Sequence, residues 1–404
     1  MPEGKRRGLS RLANAAGLAA LVLGGTIAAV LVAEIGLRLA GFGTLYEIYS
    51  KPTLFWRADP LLGWSHEPSS SGIYVGPRPF PIEFEASVRI NSLGLRGPEL
   101  PLRATDEFRI LVLGDSAVAG FEVSWERHYI ALLERQLELR LGIPVTIINA
   151  GVRGYGTDQS YLYYRERGHA LDPDLVLFVH NTNDLENNVV LHRMRRIYGK
   201  PAFALREDGA LELVGHPIPD YEVCSSWRLD ARYQPIRTDG VTSRTLCGAQ
   251  IALADRSALF SLASMVLGRF PELVHALTDL TRSGPRAALG FAAVARAAEP
   301  ADRSQGAALT VALMGAMDRT VRANGSRLVV IISARDLAEL DAQALRRAGV
   351  DIQLVERRGA TTGLVQSREQ LVFERDPHLN ERGHYYSALG LVPILVKYHE
   401  PRGS

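Results

Sequence analysis

Three polar residues have the types that a nucleophilic serine and its partners require. Ser116 follows an apolar run at residues 109–113. A serine hydroxyl attacks only when a base removes its proton and a carboxylate orients that base. His378 supplies an imidazole, and Asp376, two residues before it, supplies a carboxylate. These residue types predict nucleophilic acyl transfer if the three side chains meet in the fold.

Donors for a developing negative charge are also present. A tetrahedral intermediate needs fixed hydrogen-bond donors. The candidates are the backbone N–H groups of Ser116 and Gly154 and the side-chain amide of Asn183. Gly154 suits this role because it has no Cβ, so that a substrate oxygen can approach the backbone closely.

The candidates Ser116, Gly154 and Asn183 lie just after predicted strands. Runs at residues 109–113, 145–148 and 175–179, apolar except for Arg109 and Thr146, lead into loops rich in Gly, Asn, Asp and Ser. Short, continuous apolar runs are typical of strands that are buried on both faces. Ligands of open α/β sheets bind beyond the carboxyl ends of the strands, and we expect the site there.

Helical patterns separate these strands. Apolar spacing predicts a helix over residues 126–141, and Thr157 and Asp158 are predicted caps of a helix that ends near residue 167. The alternation resumes near the carboxyl end with helix 307–323, strand 328–332, a helix from about 336, strand 351–354 and a closing helix from 385 to about 397. This alternation predicts an α/β fold with a mostly parallel sheet covered on both sides.

The amino-terminal segment is predicted to anchor the chain in a membrane. Four basic residues among residues 1–11 precede residues 12–33, which carry no charge. These 22 residues are long enough to cross roughly 30 Å of hydrocarbon as a helix. The charge bias predicts a cytoplasmic tail at 1–11, a single transmembrane pass in the inner (plasma) membrane, and an extracytoplasmic remainder. A cleaved signal peptide is the alternative, but its apolar core is usually about 7 to 15 residues long.

Composition and cysteine content agree with this topology. The 404 residues include 46 basic and 44 acidic ones, so net charge gives no reason to expect nucleic acid as a partner. Cys224 and Cys247 are the only cysteines. In an oxidising compartment we expect them to form a disulfide; two unpaired buried thiols are the alternative.

Two regions interrupt the α/β pattern. Residues 34–105 are predicted to form a β-containing lead-in, with short strand pieces at 82–85 and 88–90. Residues 191–304 are predicted to be an insertion that holds a hairpin (203–205 and 211–214), both cysteines and an amphipathic stretch around 259–280. The predicted organisation is therefore a tail at 1–11, an anchor at 12–33, the lead-in at 34–105, a core in two parts at 106–190 and 305–404, and the insertion between them.

The set of candidates resembles the SGNH, or GDSL-like, hydrolase superfamily, in its membrane-anchored bacterial form. The matching blocks are Gly114-Asp115-Ser116, Gly154 in the run 149–154, Asn183-Asp184, and Asp376 with His378. The resemblance implies a flavodoxin-like three-layer sandwich, a Ser116–His378–Asp376 triad, and an oxyanion hole made by Ser116, Gly154 and Asn183. It extends over residues 106–187 and 305–399.

Two positions depart from the family pattern. Asn181 stands where the family has the first glycine of its third block, which leaves the proposed donor Asn183 in place. The usual Asp-x-x-His spacing is absent, because residue 375 is an arginine; Glu374 is the other nearby acid. The Asp376-x-His378 spacing is similar to that of membrane-associated members that act in polysaccharide O-acetylation, and it favours Asp376 as the orienting carboxylate.

Other polar residues were considered for nucleotide binding, metal binding and structural roles. The glycine-rich loop at 151–156 lacks the spacing of a phosphate-binding loop, so no nucleotide is expected. A metal set of Asp115, Asp184, His180 and His378 has no supporting ligand motif, so no metal or other cofactor is predicted. Asp115 is expected to brace the nucleophile turn. Arg153 is expected to be an ordinary solvated arginine. Arg382 and His384 are expected to be surface or capping residues of the closing helix.

These observations lead to three functional hypotheses. The first is an extracytoplasmic serine esterase that hydrolyses an O-acetyl or other short acyl ester through an acyl-enzyme on Ser116. The second is an O-acyltransferase that uses the same acyl-enzyme and passes the group to an envelope polysaccharide. The third is a non-catalytic glycan-binding or assembly protein with a vestigial site. The expected partners are an acyl ester, for example that of a polysaccharide, and the membrane.

Overall fold

The computed structural model describes residues 3–44, 55–76, 82–268, 303–355, 370–374 and 376–399. It divides the chain into two units. The smaller unit contains residues 1–50 and 248–278, and the larger one contains residues 51–247 and 279–404.

The strands all belong to the larger unit. In chain order they are β1 (Trp56–Asp59), β2 (Gly63–His66), β3 (Ser71–Gly76), β4 (Phe84–Arg89), β5 (Phe108–Leu113), β6 (Val145–Asn149), β7 (Leu175–Val179), β8 (Val190–His192), β9 (Ala202–Leu205), β10 (Leu211–Val214), β11 (Trp227–Leu229), β12 (Pro235–Arg237), β13 (Arg327–Ile332) and β14 (Asp351–Leu354).

The helices occur in both units. They are α1 (Glu3–Leu39), α2 (Ser116–Ala119), α3 (Tyr129–Leu141), α4 (Thr157–Glu166), α5 (Asp184–Asn187), α6 (Val241–Arg256), α7 (Ala258–Gly268), α8 (Arg303–Ala323), α9 (Ala334–Leu337), α10 (Ala342–Arg347) and α11 (Glu381–Leu395). Short 3₁₀ helices cover Trp125–Arg127, Gly168–Leu171 and Val396–Tyr398.

A five-stranded parallel sheet forms the centre of the larger unit. Its strand order is β14-β13-β7-β5-β6, and each neighbouring pair is parallel. Numbered along the chain, this order is 2-1-3-4-5, which is the flavodoxin-like doubly wound order. The predicted α/β class with a mostly parallel sheet is therefore confirmed. The order changes direction between β5 and β7, which is where such sheets bind ligands.

Helices cover both faces of this sheet because its strands are apolar on both faces. In β5, Leu111 and Leu113 pack on the side of α4 and α8, whereas Ile110 and Val112 pack on the side of α3 and α11. All six residues of β5 are buried. The sheet and its two helical layers make the three-layer sandwich that the resemblance implied.

Two helix starts differ from the prediction. Helix α3 begins at Tyr129 because a 3₁₀ turn precedes it and His128 caps it, accepting a hydrogen bond from the Ile130 N–H at 3.1 Å. Helix α4 begins after Gly156, which has no side chain to cap it. The prediction that Thr157 is a cap was wrong, because its hydroxyl donates to the Asp184 carboxylate. The Asp158 carboxylate accepts the Gln159 N–H of the first turn at 2.7 Å and also pairs with Lys200.

The closing helix also differs from its prediction. Helix α11 begins at Glu381, after Asn380, whose side chain accepts a hydrogen bond from the Gly383 N–H at 3.0 Å. His384 is 2 % exposed, and its Nδ1 accepts a hydrogen bond from the Tyr129 N–H at 3.1 Å. The expectation that His384 is a surface or capping residue was wrong, because the first turn of α11 packs against the start of α3.

The lead-in contains two antiparallel pairs, β1–β2 and β3–β4. The predicted pieces at 82–85 and 88–90 are parts of one strand, β4, in which buried and exposed residues alternate without interruption. Its buried residues are Phe84, Ala86 and Val88. The regular alternation is what a strand with one core-facing side requires.

The region predicted as an insertion has structure of its own. Strands β9 and β10 form the predicted hairpin, with Leu205 opposite Leu211. Strands β8, β11 and β12 form a small antiparallel sheet. Cys224 and Cys247 form a disulfide, with a Cα–Cα distance of 5.7 Å. The predicted amphipathic stretch at 259–280 falls partly on α7, and its remainder lies outside the described residues.

The smaller unit contains a helix that is long and apolar enough to span a membrane. This candidate span covers Asn14–Leu39, has a mean hydropathy of 2.3, and has the length and position that a signal sequence also has. The helix therefore continues beyond the predicted end at residue 33. Glu34, in its last turns, accepts hydrogen bonds from the Ala258 and Leu259 N–H groups at 2.9 Å each, so it caps the first turn of α7.

Candidate active site

The nucleophile turn joins β5 to α2. Gly114 has a φ of +152°, and a Cβ at this position would lie 2.6 Å from the Val118 side chain and 3.0 Å from the Val179 carbonyl oxygen. Only glycine fits this turn without displacing its neighbours. Ser116 follows as the first residue of α2 at the carboxyl end of β5, and it is partly exposed.

The structure brings Ser116, His378 and Asp376 into one hydrogen-bonded line. The Ser116 Oγ lies 2.8 Å from Nε2 of His378, and Nδ1 of His378 lies 2.5 Å from Oδ1 of Asp376. The same Asp376 oxygen accepts the backbone N–H of His378 at 2.9 Å. The short Asp-x-His spacing therefore lets one carboxylate hold both the ring and the backbone of the histidine.

The charge of Asp376 is favoured by this arrangement. Burial opposes its ionisation, but the hydrogen bonds from the ring and the backbone of His378 outweigh burial and lower the pKa of Asp376. An ionised carboxylate at Nδ1 selects the tautomer in which Nδ1 carries the proton. Nε2 is then the ring atom that accepts the hydroxyl proton of Ser116.

A short hairpin-like loop presents His378. The Phe373 N–H donates to the His378 carbonyl at 3.2 Å, and the Asn380 N–H donates to the Leu371 carbonyl at 3.0 Å. The Asn380 side-chain amide also donates to the Val372 carbonyl at 2.8 Å. Asn380 caps α11 as well, so the helix start and the catalytic loop are fixed by the same side chain.

Asp115 braces the turn and holds two asparagine side chains. Its Oδ1 accepts the Ala117 N–H at 2.9 Å and the Asn181 amide at 2.8 Å, and its Oδ2 accepts the Asn183 amide at 2.9 Å. An asparagine amide has two N–H groups, so Asn183 keeps one for another acceptor. Asn183 is exposed. Asn181, the departure from the family glycine, thus helps to fix the carboxylate that orients Asn183.

Gly154 lies in the loop after β6 in a left-handed conformation, with a φ of +84°. A Cβ there would come within 3.5 Å of the Trp64 ring. Within the described part of the chain, neither the Gly154 N–H nor the Ser116 N–H donates a hydrogen bond to another backbone group. Both groups can therefore serve as donors for a substrate oxygen.

The amino-acid sequence from residue 112 to residue 256 matches the model of the GDSL-like lipase/acylhydrolase family. This part of the chain is therefore similar to GDSL-like lipases and acylhydrolases. The matched range begins within β5 and includes Ser116, Gly154 and Asn183, whereas Asp376 and His378 lie beyond it. A GDSL-like acylhydrolase is a hydrolase that acts on ester bonds.

Other comparisons add less. No curated protein matches the chain. Solved structures with similarity to this chain include LAE5, an α/β hydrolase from the metagenome of Lake Arreo, with 11% identity, a TM-score of 0.35 and coverage of 74% of this chain and 99% of that chain. The lipase/acylhydrolase from Enterococcus faecalis has 11% identity, a TM-score of 0.34 and coverage of 73% and 99%. A variant of Axe2, an acetyl xylan esterase from Geobacillus stearothermophilus, has 9% identity, a TM-score of 0.35 and coverage of 75% and 99%.

TM-scores below 0.5 do not establish a common fold. The similarity to the GDSL-like family therefore rests on the family model, and the description of the architecture rests on the strand order of the sheet.

Glu122 and Arg153 form an ion pair beside the histidine of the GDSL-like site. The Glu122 side chain is 1 % exposed and pairs with the Arg153 guanidinium, and its Oε1 lies 3.5 Å from Nδ1 of His378. The guanidinium also lies over the Tyr74 ring, 5.1 Å from its centroid. The expectation that Arg153 is a solvated arginine was wrong. Glu122 was not predicted from the sequence. Its position between the apolar residues Phe121 and Val123 could have indicated a buried charge with a partner.

Three side chains of this site are of types that can bind a cation. In the part of the chain that the structure describes, Glu122, Asp376 and His378 offer three ligand atoms within 4.8 Å of one another. A guanidinium already neutralises Glu122, and Nδ1 of His378 donates to Asp376, so this group does not fit a metal ion. His180 and Asp184 form a separate buried pair at 3.0 Å, and burial raises the pKa of Asp184 to about 6.

Proposed function

We propose that this chain is a membrane-anchored, extracytoplasmic serine esterase that hydrolyses an O-acetyl or other short acyl ester. The observation that carries the proposal is the hydrogen-bonded line from Asp376 through His378 to Ser116, with distances of 2.5 and 2.8 Å. Such a line is what a serine needs to act as a nucleophile at neutral pH.

The first half of the reaction forms an acyl-enzyme. The Ser116 Oγ attacks the ester carbonyl carbon while Nε2 of His378 takes the hydroxyl proton. The carbonyl oxygen becomes negative and receives hydrogen bonds from the Ser116 and Gly154 N–H groups and the second N–H of the Asn183 amide. The protonated His378 then gives its proton to the leaving alcohol oxygen, and the C–O bond of the ester breaks.

The second half releases the acid. A water molecule gives a proton to Nε2 of His378 and attacks the acyl carbon, and the same three donors hold the oxyanion. His378 returns the proton to Ser116 as the serine–acyl bond breaks. Asp376 holds the ring in one orientation throughout, because its carboxylate is bonded to both Nδ1 and the backbone N–H.

Two features support an extracytoplasmic location. The disulfide between Cys224 and Cys247 is typical of an oxidising compartment. The candidate span Asn14–Leu39 follows a basic amino terminus, which favours a cytoplasmic start and an exported remainder.

Replacement of Ser116 tests the esterase directly. We expect Ser116→Ala to lower the turnover of p-nitrophenyl acetate on the order of 10⁴-fold and to abolish labelling by a fluorophosphonate probe, without loss of folding. Ser87→Ala, at an exposed position of β4, is the matched control and keeps both signals. Retained turnover in Ser116→Ala would contradict the assignment. A wild-type protein that takes no probe would favour the non-catalytic hypothesis.

An O-acyltransferase is the second candidate. The Asp376-x-His378 spacing is similar to that of membrane-associated members acting in polysaccharide O-acetylation, and transfer would use the same acyl-enzyme with a sugar hydroxyl in place of water. Incubation with an acyl donor and a glycan acceptor separates the two functions. Acylated sugar among the products indicates transfer, and free acid alone indicates hydrolysis.

A further inference from the structure

Two carboxylates, rather than one, face the ring of His378. Nδ1 lies 2.5 Å from Oδ1 of Asp376 and 3.5 Å from Oε1 of Glu122. Glu122 follows Gly120, the residue that ends the nucleophile helix α2. The base is therefore approached by a carboxylate from its own loop and by a second one from the loop of the nucleophile.

Arg153 balances the second carboxylate. Its guanidinium pairs with Oε1 of Glu122, while Oε2 of Glu122 is buried and has no hydrogen-bond partner in the described part of the chain. A buried carboxylate without a counter-charge costs several kcal/mol and tends to take up a proton. The guanidinium of Arg153 supplies this counter-charge to Glu122 beside the histidine.

The pair also connects three loops of the site. Glu122 belongs to the nucleophile loop, Arg153 directly precedes the predicted oxyanion residue Gly154, and His378 belongs to the loop before α11. The Trp64 indole N–H donates to the Arg153 carbonyl at 3.1 Å, which holds the backbone of the oxyanion loop from the other side. A change in the pair therefore acts on the base and on an oxyanion donor together.

We propose that Glu122 and Arg153 are positioning residues for catalysis. Glu122 is a second carboxylate that stabilises the protonated ring of His378, and Arg153 limits this effect and holds the Gly154 loop. The inference rests on the proposed esterase function. It assigns opposite electrostatic effects to the two residues, because one brings a negative and the other a positive charge to the same ring.

The remaining groups that face the ring are few among the described residues. Asp376 is the carboxylate of the triad. His384 of α11 also interacts with His378, but burial, with smaller effects of Arg96 and His378, lowers the pKa of His384 to about 3, so it is neutral in the active range. The charges that distinguish the variants below are therefore those of Glu122 and Arg153.

The pH dependence of kcat/KM tests the proposal. Loss of activity on the acidic side reports protonation of the essential base. We expect Glu122→Gln to move this acidic limb to lower pH by about 0.5 to 1 unit, because a negative charge near the ring is lost. Arg153→Met should move it to higher pH by a similar amount. The double variant should lie between the two single variants.

Controls separate a positioning role from a structural one. Glu85→Gln removes an exposed carboxylate from β4 and should leave the limb in place. If Arg153→Met does not fold, Glu122→Gln and the double variant still show in which direction each charge shifts the acidic limb. Suppose that the wild-type enzyme is labelled and active, but that the acidic limb of its kcat/KM profile does not move in Glu122→Gln. This result would overturn the inference about Glu122 and leave the esterase assignment in place. A wild-type chain that takes no fluorophosphonate probe would instead overturn the esterase.

Discussion

At the scale of single residues, the two aspartates of the site each accept hydrogen bonds from more than one donor. Asp376 binds both the ring and the backbone of His378, and Asp115 binds two asparagine amides as well as the Ala117 N–H. Because each acceptor has several donors, its orientation is fixed before a substrate binds. Such preorganisation is the main source of transition-state stabilisation by hydrogen bonds.

The role of Asn183 can be measured at this scale. We expect Asn183→Ala to lower kcat about 10²- to 10³-fold, as for other single oxyanion donors, with a much smaller change in KM. Asn181→Gly, which restores the glycine of the family pattern, keeps the Asn183 donor and should lower kcat less than about tenfold. Steady-state kinetics with p-nitrophenyl acetate measure both variants. A kcat within threefold of wild type in Asn183→Ala would remove this donor from the proposed oxyanion hole.

At the scale of elements, a buried ion pair connects the region after β8 to helix α4. The Lys200 ammonium pairs with the Asp158 carboxylate and donates to the Asn187 carbonyl at 2.8 Å. Both side chains are buried. Burial raises the pKa of Asp158 and lowers that of Lys200, since each charge has lost its water. Each charge is therefore tolerated only because the other is present.

Removal of one partner should consequently cost more than removal of both. We expect Lys200→Met to lower the free energy of unfolding by about 3 to 5 kcal/mol, because the Asp158 charge is left buried and unpaired. Lys200→Met with Asp158→Asn should recover part of this loss. Arg206→Met breaks the exposed pair with Glu212 and should cost at most about 1 kcal/mol. Urea unfolding of the full chain measures these values; a Lys200→Met cost as small as that of Arg206→Met would contradict the explanation.

At the scale of the whole molecule, the part of the lead-in that belongs to the larger unit, from residue 55 onward, packs against the α/β core of that unit. Asp59 of β1 forms a two-pronged pair with Arg167 at 2.7 and 3.0 Å, and the Tyr155 hydroxyl donates to the Trp64 carbonyl at 2.5 Å. The His66 ring lies buried here, within 3.3 Å of the Gly94 carbonyl oxygen. Contacts of the lead-in therefore reach the loop that carries Gly154.

His66 makes this packing sensitive to pH. Burial, chiefly, lowers the pKa of His66 to about 3 in the folded state, whereas an unfolded chain has a value near 6.5. Between these values the unfolded state binds the additional proton, so the stability contributed by neutral His66 is present above pH 6.5 and is lost as the pH falls toward 3. We expect wild type to lose on the order of 1 kcal/mol relative to His66→Asn between pH 7.5 and 5.5.

Urea unfolding of both proteins at the two pH values gives this difference directly. The comparison with His66→Asn cancels the titration of other groups, such as Asp184, that both proteins share. An equal pH dependence in the two proteins would show that His66 does not titrate between the folded and unfolded states.

The local features of this chain could be predicted from its sequence. Continuous apolar runs predicted β5, β6 and β7 within a residue, because a strand buried on both faces admits few polar side chains. Local sequence patterns also predicted the hairpin of β9 and β10 and the apolar amino-terminal helix. The candidate nucleophile, base and carboxylate were predicted from residue type and from a family resemblance.

Which side chains meet depends on the tertiary structure. Ser116 and His378 are 262 residues apart, and sequence spacing does not determine whether Asp376 turns toward the ring. The burial of Arg153 and His384 depends on elements that approach from elsewhere in the chain, so their polar types suggested the surface. A charged side chain is stable inside only when a distant partner satisfies it, and that partner is visible only in the folded molecule.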